Sequence, residues 1–311
     1  MQTNVVSAKR PADLDIQTAG WRDWFSLLKP RVMILVVFTG AIGMVLAPGH
    51  LNLVLGFTAT LCIAVGAGAA GAINMWYDRD IDAIMRRTAG RPIPAGRIAP
   101  DEALSFGIML ASASVLVMAL ATNVVAATVL AGSIAFYVFV YTMWLKRRTV
   151  QNIVIGGAAG AFPPVIGWAS VTGDIGLFPA LLFLVVFVWT PPHFWSLSLY
   201  ACGDYERAGV PMLPVVCGAR STRRHVMGYT MALTVVSMLP WLFGFTGAIY
   251  GLTALALGLG FLVCAWRVLV DGGPEDGKSL TRDAPARAAF RYSLAYLAVL
   301  FTSLAVDRCV G

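Results

Sequence analysis

The amino-acid sequence predicts an all-α, polytopic membrane protein built as a bundle of nine transmembrane helices. Of its 311 residues, 58% are hydrophobic and only 13% are charged, whereas an ordinary soluble domain carries roughly 25% charged residues. The apolar residues run in nine stretches, each close to the length of about 20 residues that an α-helix needs to cross a bilayer. A water-soluble globular protein is therefore excluded.

The nine stretches are joined by short connections, so no separate soluble domain fits between them. We predict transmembrane helices at 32–47, 51–76, 103–121, 124–144, 153–171, 177–200, 226–246, 248–268 and 289–306. Together they form a single transmembrane domain over residues 31–307.

A tail over residues 1–30 precedes this domain and is predicted to contain one short helix. Trp21, Trp24, Phe25 and Leu28 recur at helical spacing on one face, with charged residues beside them. This pattern is typical of a helix that lies in the membrane interface rather than across the membrane.

The basic residues predict the orientation of the bundle. Of the 23 Lys and Arg residues, 22 lie before or at the first span or in the connections after spans 2, 4, 6 and 8. Only Arg308 lies on the other side. Because cytoplasmic loops carry the excess of positive charge, the N-terminus is predicted to be cytoplasmic and the C-terminus external. The net charge of +7 is spread over these loops, so the expected partner is the lipid bilayer and not a nucleic acid.

The second span ends in an acidic motif. Asn74, Asp78 and Asp82 recur at every fourth residue and therefore share one helical face. Two carboxylates so placed near a helix C-terminus are repelled by each other and by the helix dipole. A divalent cation would reverse both effects, and Mg²⁺ accepts carboxylate and amide oxygens together with substrate phosphates. The alternative is a solvated network in which these acids pair with nearby arginines.

The loop after this motif is rich in cations. It contains Arg86, Arg87, Arg91 and Arg97. Mg²⁺ flanked by arginine side chains is suited to holding a diphosphate group. The sequence therefore favours a diphosphate site at the cytoplasmic edge of the second span.

A second acidic motif follows the sixth span. Asp204 and Glu206 precede Arg207 and a Pro-x-x-Pro turn, which echoes the first loop. Two such helix ends could face each other across the bundle and hold a pair of metal ions.

The sixth span itself contains Pro191 and Pro192, which are expected to break the helix and to line a site. His193, the only histidine within a span, either bonds to a neighbouring helix or contacts a substrate.

Taken together, these segments resemble the UbiA superfamily of intramembrane prenyltransferases. The resemblance rests on the Asn74-x-x-x-Asp78-x-x-x-Asp82 motif, the loops around Arg91 and Lys146, and the motif at Asp204. Within the superfamily, three further segments are similar to the branch that farnesylates protohaem IX: Gln151–Gly157, Pro191–Trp195 and Ala208–Pro214.

This resemblance implies a membrane-embedded prenyltransferase of the bacterial cytoplasmic (inner) membrane, with Mg²⁺ as cofactor. Its substrates would be farnesyl diphosphate and haem b. The farnesyl group would pass to a haem vinyl group with addition of water, giving haem O and diphosphate, and a haem-modifying enzyme could receive the product. Two alternatives are a UbiA-type enzyme with another, aromatic acceptor and a transporter, although a transporter would place its acids near the membrane midplane.

The resemblance also implies roles for individual residues. The metal ligands would be Asn74, Asp78, Asp82 and Asp204. Catalysis would depend on Asp78, Asp82, Asp204 and Lys146, and the substrates would be bound by Arg31, Arg87, Arg91, Tyr141, His193 and Tyr205. Many family members carry two aspartates four residues apart in the second motif, but here Ala208 follows Asp204 at that spacing. A second metal ion would therefore have one direct carboxylate or be held through water.

Overall fold

The computed structural model describes residues 19–273 and 279–310, and these residues are almost entirely helical. The helices are α1 (Trp21–Leu27), α2 (Pro30–Leu46), α3 (Leu53–Tyr77), α4 (Arg79–Ile84), α5 (Pro100–Ala121), α6 (Val124–Ala135), α7 (Asn152–Ala161), α8 (Pro163–Thr172), α9 (Leu177–Tyr200), α10 (Cys202–Arg207), α11 (Leu213–Val216), α12 (Gly218–Leu242), α13 (Ala248–Val270) and α14 (Ala284–Val310). Among the described residues, the only β-type pairing is an isolated bridge between Gly272 and Ser279. The predicted all-α class is confirmed.

The number of candidate spans agrees with the sequence prediction. Within the described ranges, eight helical stretches are long and apolar enough to cross a membrane: α3, α5, α6 with its continuation to Leu145, α7 with α8, α9, α12, α13 and α14. Helices α1 and α2 meet at an angle of 53° and supply the ninth. The orientation of the two termini stays a prediction.

The short helix predicted in the N-terminal tail is present as α1, although its side chains are divided between two environments. Trp21 and Phe25 are exposed, as expected of residues that contact lipid. The ring of Trp24 instead packs edge-on against Phe106 at 5.0 Å, and Leu27 is fully buried. Residues 1–18 of the predicted tail lie outside the described residues.

Helix α9 is the centre of the bundle. It packs against α7, α12 and α14, and the core around it contains large, fully buried side chains such as Trp195, Tyr296 and Phe301. Helices α5 and α6 lie at the periphery and expose apolar side chains such as Leu120 on α5 and Val124 on α6. Such a surface suits the hydrocarbon interior of a bilayer, where the helices satisfy their own backbone hydrogen bonds.

The break predicted at Pro191 and Pro192 is wrong. Helix α9 runs without interruption through both prolines, because three neighbouring helices pack around this segment and hold it helical despite two missing backbone donors. The interruption lies instead in the fifth span, where α7 ends and α8 begins around Phe162 and the pair Pro163-Pro164.

The fourth span also differs from a regular α-helix. After Ala135, its second half is a π-helical segment, Phe136–Leu145. Turns of this wider type are rare and are frequent at functional sites. The segment leads directly to Lys146 at the end of the span, whose backbone N–H donates to Tyr141 at 2.9 Å.

Candidate active site

The acidic motif forms one buried stripe at the junction of α3 and α4. The backbone N–H of Asp78 donates to Asn74 at 2.9 Å, and that of Asp82 donates to Asp78 at 2.8 Å, so the helical pattern continues across the junction. Asp78 and Asp82 are 0% and 2% exposed, whereas the side chain of Asp80 is 60% exposed. Asp80 therefore lies apart from the other two acids.

Asp78 is surrounded by hydrogen-bond donors. Its Oδ2 accepts from Asn74 Nδ2 at 2.7 Å and from Lys146 Nζ. Its Oδ1 lies 3.4 Å from Arg147 Nη2. Arg147 also donates to both carboxylate oxygens of Asp80, each at 2.7 Å, and this hydrogen bonding lowers the pKa of Asp80. The buried carboxylate of Asp78 is thus compensated by two cations and an amide.

Cations also contact the other two members of the stripe. Lys29 Nζ donates to Asn74 Oδ1 at 2.6 Å, and Arg91 Nη1 donates to Asp82 Oδ2 at 2.5 Å. The amide of Asn74 donates to Thr142 Oγ1 at 3.1 Å, which ties α3 to the π-helical segment. Residues far apart in the sequence therefore converge on this helix end.

Three of these contacts were missed by the sequence analysis, namely those of Lys29, Thr142 and Arg147. Lys29 stands beside Pro30 with a positive φ of 52°, at the bend between α1 and α2. Arg147 belongs to a Lys-Arg-Arg run at the end of a span. Membrane orientation alone already explains a basic run at that position. The position of Lys29 between the predicted tail helix and the predicted first span was the one available signal.

The second acidic helix end meets the first through Tyr205. This buried side chain on α10 belongs to the same apolar cluster as Ile81 and Met85. Arg87 Nη2 donates to the Tyr205 hydroxyl at 2.9 Å, and the guanidinium lies 5.4 Å from the ring centre. The predicted approach of the two loops is therefore observed.

Asp204 does not join Asp78 and Asp82 in a single ligand set. Its carboxylate pairs with Arg207 on its own helix, and Glu206 is exposed. In the described part of the chain, no three Asp, Glu, His or Cys side chains are close enough to hold one metal ion. An ion at the first motif would therefore be held by two carboxylates and the Asn74 amide.

The remaining predicted site residues lie in three different environments. The ring of Tyr141 fills the space beside Gly156, where a Cβ would lie 2.2 Å from Tyr141 Cδ2. Arg31 is exposed in the first turn of α2. His193 is buried between α9 and α14, with Nδ1 2.6 Å from Ser293 Oγ.

The first motif fits a metal–diphosphate group. Carboxylate and amide oxygens are ligands that Mg²⁺ prefers, and Mg²⁺ is commonly held by one or two carboxylates together with substrate phosphates. Arg147 Nε is buried and lacks a hydrogen-bond partner in the described part of the chain. The site therefore combines hard oxygen ligands with a surplus of cationic donors, one of which is unused.

The structure is a bundle of many apolar helices with buried, cation-paired aspartates at one end. These features define the class of polytopic membrane proteins that have a polar site for an anionic group. A family model described as the UbiA prenyltransferase family matches residues 36–300. The chain belongs to this family and is a membrane-embedded prenyltransferase, which decides against the transporter alternative.

Curated relatives match nearly the whole chain. The protoheme IX farnesyltransferase of Granulibacter bethesdensis is 72% identical over 288 residues, which cover 93% of this chain and 91% of the relative. That of Acidiphilium cryptum is 64% identical over 293 residues, covering 94% and 92%.

Solved structures share the fold at low sequence identity. A digeranylgeranylglyceryl phosphate synthase matches with a TM-score of 0.73 and 16% identity, over 92% of this chain and 97% of its own. A UbiA homologue from Archaeoglobus fulgidus bound to GPP and Mg²⁺ matches with a TM-score of 0.68 and 15% identity, over 91% and 99%.

Proposed function

We propose that this protein transfers the farnesyl group of farnesyl diphosphate to a vinyl group of haem b, with addition of water, to give haem O and diphosphate. The observation that carries the proposal is the pair of buried carboxylates, Asp78 and Asp82, each bonded to a cation at the end of a transmembrane helix. The curated relatives are named protoheme IX farnesyltransferases, which supports the acceptor and the prenyl donor. The site of action would be the bacterial cytoplasmic membrane.

In this proposal, Asn74, Asp78 and Asp82 hold a magnesium ion, and Asp204 contributes to a second. When bound, Mg²⁺ neutralises charge that develops on the leaving diphosphate. The binding of Mg²⁺ and a prenyl diphosphate by a UbiA homologue with the same fold supports this assignment.

Lys146 and Arg91 would have two alternative partners. Without substrate they neutralise Asp78 and Asp82. With the diphosphate present, they and Arg147 would donate to its oxygens, while the carboxylates serve as ligands. Fixed cationic donors of this kind stabilise developing negative charge at little reorganisation cost.

Four further residues would complete substrate binding. Arg87, held by Tyr205 of the second motif, would contact the diphosphate from the loop after the first motif. Arg31 and Tyr141 would contact it from α2 and the π-helical segment. His193 would contact the haem.

The proposed reaction breaks one bond at farnesyl C1 and forms another at the same carbon. The bond between C1 of the farnesyl group and the diphosphate oxygen breaks, and the diphosphate leaves with the electron pair. The terminal carbon of the haem vinyl group bonds to farnesyl C1, which leaves a cation on the carbon next to the porphyrin. Water attacks that carbon and loses a proton, giving the hydroxyl group. Water must be excluded until the carbon–carbon bond has formed, which favours a site among packed helices.

The experiment is an incubation of the purified full-length protein with farnesyl diphosphate, haem b and Mg²⁺, followed by mass analysis of the haem. We expect a product heavier than haem b by one farnesyl group and one hydroxyl group. A chelator should abolish its formation, and added Mg²⁺ should restore it.

Two other outcomes would revise the proposal. A haem product without the added water would support farnesylation and contradict the hydration step. Prenylation of an aromatic acid such as 4-hydroxybenzoate, with haem b left unmodified, would favour the UbiA-type alternative. Delivery of haem O to a haem-modifying enzyme is a further expectation, which copurification from the native membrane would test.

A further inference from the structure

The imidazole of His193 is held in one orientation between α9 and α14. The residue is 7% exposed, and its Nδ1 lies 2.6 Å from the hydroxyl oxygen of Ser293. Ser293 is itself fully buried. This contact fixes which ring nitrogen faces the protein.

The same hydroxyl also determines which nitrogen of His193 carries the proton. Ser293 Oγ lies 2.7 Å from the carbonyl oxygen of Phe290, which can only accept. A hydroxyl has one hydrogen to donate, so Ser293 Oγ must accept from Nδ1–H of His193. Nε2 then carries a lone pair, and it has no hydrogen-bond partner in the described part of the chain. The opposite tautomer would take the Ser293 hydrogen from the Phe290 carbonyl and leave Nε2–H without a hydrogen-bond partner among the described residues.

Aromatic rings cover both faces of this imidazole. Trp189 stacks on it with ring centres 4.3 Å apart and 17° between planes, and Phe290 stacks at 4.6 Å and 23°. Trp189 is also anchored to Ser293, because its Nε1–H donates to the Ser293 carbonyl at 2.8 Å. A ligand can therefore approach His193 only in the plane of the ring. Phe194 makes a T-shaped contact with the ring, with ring centres 5.2 Å apart. Because Nδ1 is bonded to Ser293, Nε2 is the ring nitrogen that remains for a ligand.

We propose that Ser293 is a positioning residue that presents Nε2 of His193 as an axial ligand to the iron of haem b. The inference rests on the proposed function, because it takes haem b as the substrate. A neutral imidazole with one nitrogen hydrogen-bonded and the other bare is the form that binds metal ions, and such a hydrogen bond fixes ring orientation and basicity. An in-plane approach to Nε2 is also the geometry of axial ligation.

The test is a titration of the full-length protein with haem b in detergent. The measured quantities are the position of the Soret band and the affinity for haem b. His193→Ala should lose the ligand-dependent Soret shift, and added imidazole should restore it. Ser293→Ala should weaken haem binding roughly tenfold or more and change the spectrum, as loss of a hydrogen bond to a metal-binding histidine does. Ser293→Thr retains the hydroxyl and should resemble the wild type.

Ser303→Ala is the matched control. Ser303 is buried on the same helix, and its hydroxyl makes the same bond to the carbonyl three residues earlier, at 2.7 Å, but it has no histidine partner among the described residues. Its haem spectrum should equal that of the wild type. Farnesyl diphosphate binding, measured separately, should persist in all four variants and thereby report correct folding.

Three results would overturn the inference in different ways. If His193→Ala binds haem b with the wild-type spectrum, His193 is not a ligand, although the proposed substrate stands. If Ser293→Ala binds haem b with the wild-type affinity and spectrum while His193→Ala does not, Ser293 does not position the ring. If the wild-type protein itself binds no haem b, the proposed function fails together with the inference.

Discussion

At the scale of single residues, the central feature is that three neighbouring aspartates lie in different environments. Asp78 and Asp82 are buried and bonded to cations, whereas Asp80 is exposed and pairs with Arg147 at the surface. A buried carboxylate carries a desolvation penalty that these partners must offset. The presence of two buried carboxylates inside a helical bundle therefore points to a function other than stability.

Replacement of these acids gives the first prediction. Asp78→Asn and Asp82→Asn should each lower prenyl transfer by roughly 10²–10³-fold, the usual effect of removing one group that stabilises developing charge. Asp80→Asn, two residues from each, should change the rate only a few-fold. Initial rates at saturating farnesyl diphosphate, with equal amounts of inserted protein, provide the measurement. Equal losses in all three variants would contradict a specific role for the buried pair.

The contacts of this site show what the sequence could predict. The spacing of Asn74, Asp78 and Asp82 was sufficient to place them on one face because a helix repeats every 3.6 residues. The bond from Lys29 to Asn74 joins residues 45 positions apart, and the bond from Asn74 to Thr142 joins residues 68 positions apart. No local pattern encodes such pairs, because they depend on how α1, α3 and the π-helical segment pack.

At the scale of helices, α2 and α8 approach each other closely. A Cβ on Gly167 would lie 1.9 Å from the carbonyl oxygen of Gly40, and a Cβ on Gly43 would lie 2.2 Å from that of Pro164. Membrane helices gain little from burying apolar surface, so small residues that permit close packing are a main source of association. These glycines are therefore structural requirements of the interface.

Gly167→Ala should destabilise the protein, because the new methyl group would overlap a backbone oxygen that cannot move without separating the helices. Overpacking of this kind costs about 1–3 kcal/mol or more. Gly160→Ala is the control, since Gly160 has open space around its Cβ position, and alanine is the better helix former. Thermal unfolding in detergent should show a lower Tm for Gly167→Ala alone. Equal Tm values would mean that the two helices are not in tight contact.

A second helix-scale feature is the buried guanidinium of Arg223, which joins α12 to the ends of α13 and α14. Arg223 is 1% exposed. It donates to the Val268 carbonyl at 3.0 Å and to Asp271 at 3.3 Å, and it lies 3.5 Å from Asp283. From the sequence alone, this arginine has a role only in membrane orientation. Its burial shows that one residue serves both orientation and packing.

Arg223→Met should lower the free energy of unfolding by about 3–5 kcal/mol, because the buried carboxylate of Asp271 would lose its cation. Arg224→Met, which removes the neighbouring exposed cation, should have little effect. Chemical or thermal unfolding of the two variants in the same detergent provides the comparison. Similar stabilities of the two variants would contradict the packing role of Arg223.

The same cluster predicts a pH dependence of stability. Burial raises the pKa of Asp271, but hydrogen bonds from Ser279 and Thr281 and the charge of Arg223 outweigh it, so the pKa lies below its usual 3.8. The folded state therefore binds the Asp271 proton more weakly than the unfolded state does. The ionised carboxylate stabilises the fold fully above the usual pKa, and this stabilisation is lost as the pH falls through the lowered pKa of the folded state. Thr281→Val should reduce the loss of Tm between pH 5 and acidic pH. An unchanged acid profile would exclude this contribution.

At the scale of the whole molecule, the bundle has two chemically different ends. One end carries Asp78, Asp82, Arg87 and Lys146 together with the acidic helix α10, and contacts between Arg87 and Tyr205 join the two loops. The other end carries Asp307 and Arg308 at the end of α14. The number of spans and the alternation of charge were accessible from the sequence because each span is a continuous apolar segment. The packing order of the helices and the course of α9 through its prolines were not, because they depend on tertiary contacts.

The orientation of these two ends gives the last prediction, which two native cysteines can test. Cys217, just before α12, and Cys309, near the end of α14, are both exposed. From the distribution of 22 of 23 basic residues, Cys217 should face the cytoplasm and Cys309 the exterior. A membrane-impermeant maleimide applied to intact cells should therefore label the wild type and Cys217→Ser but not Cys309→Ser. In inverted membrane vesicles the pattern should reverse, and with the half-buried Cys202 also replaced by serine, Cys217→Ser should lose the label. Labelling of Cys309 only in inverted vesicles would place the C-terminus inside, which requires either an inverted bundle or one span more or fewer than nine.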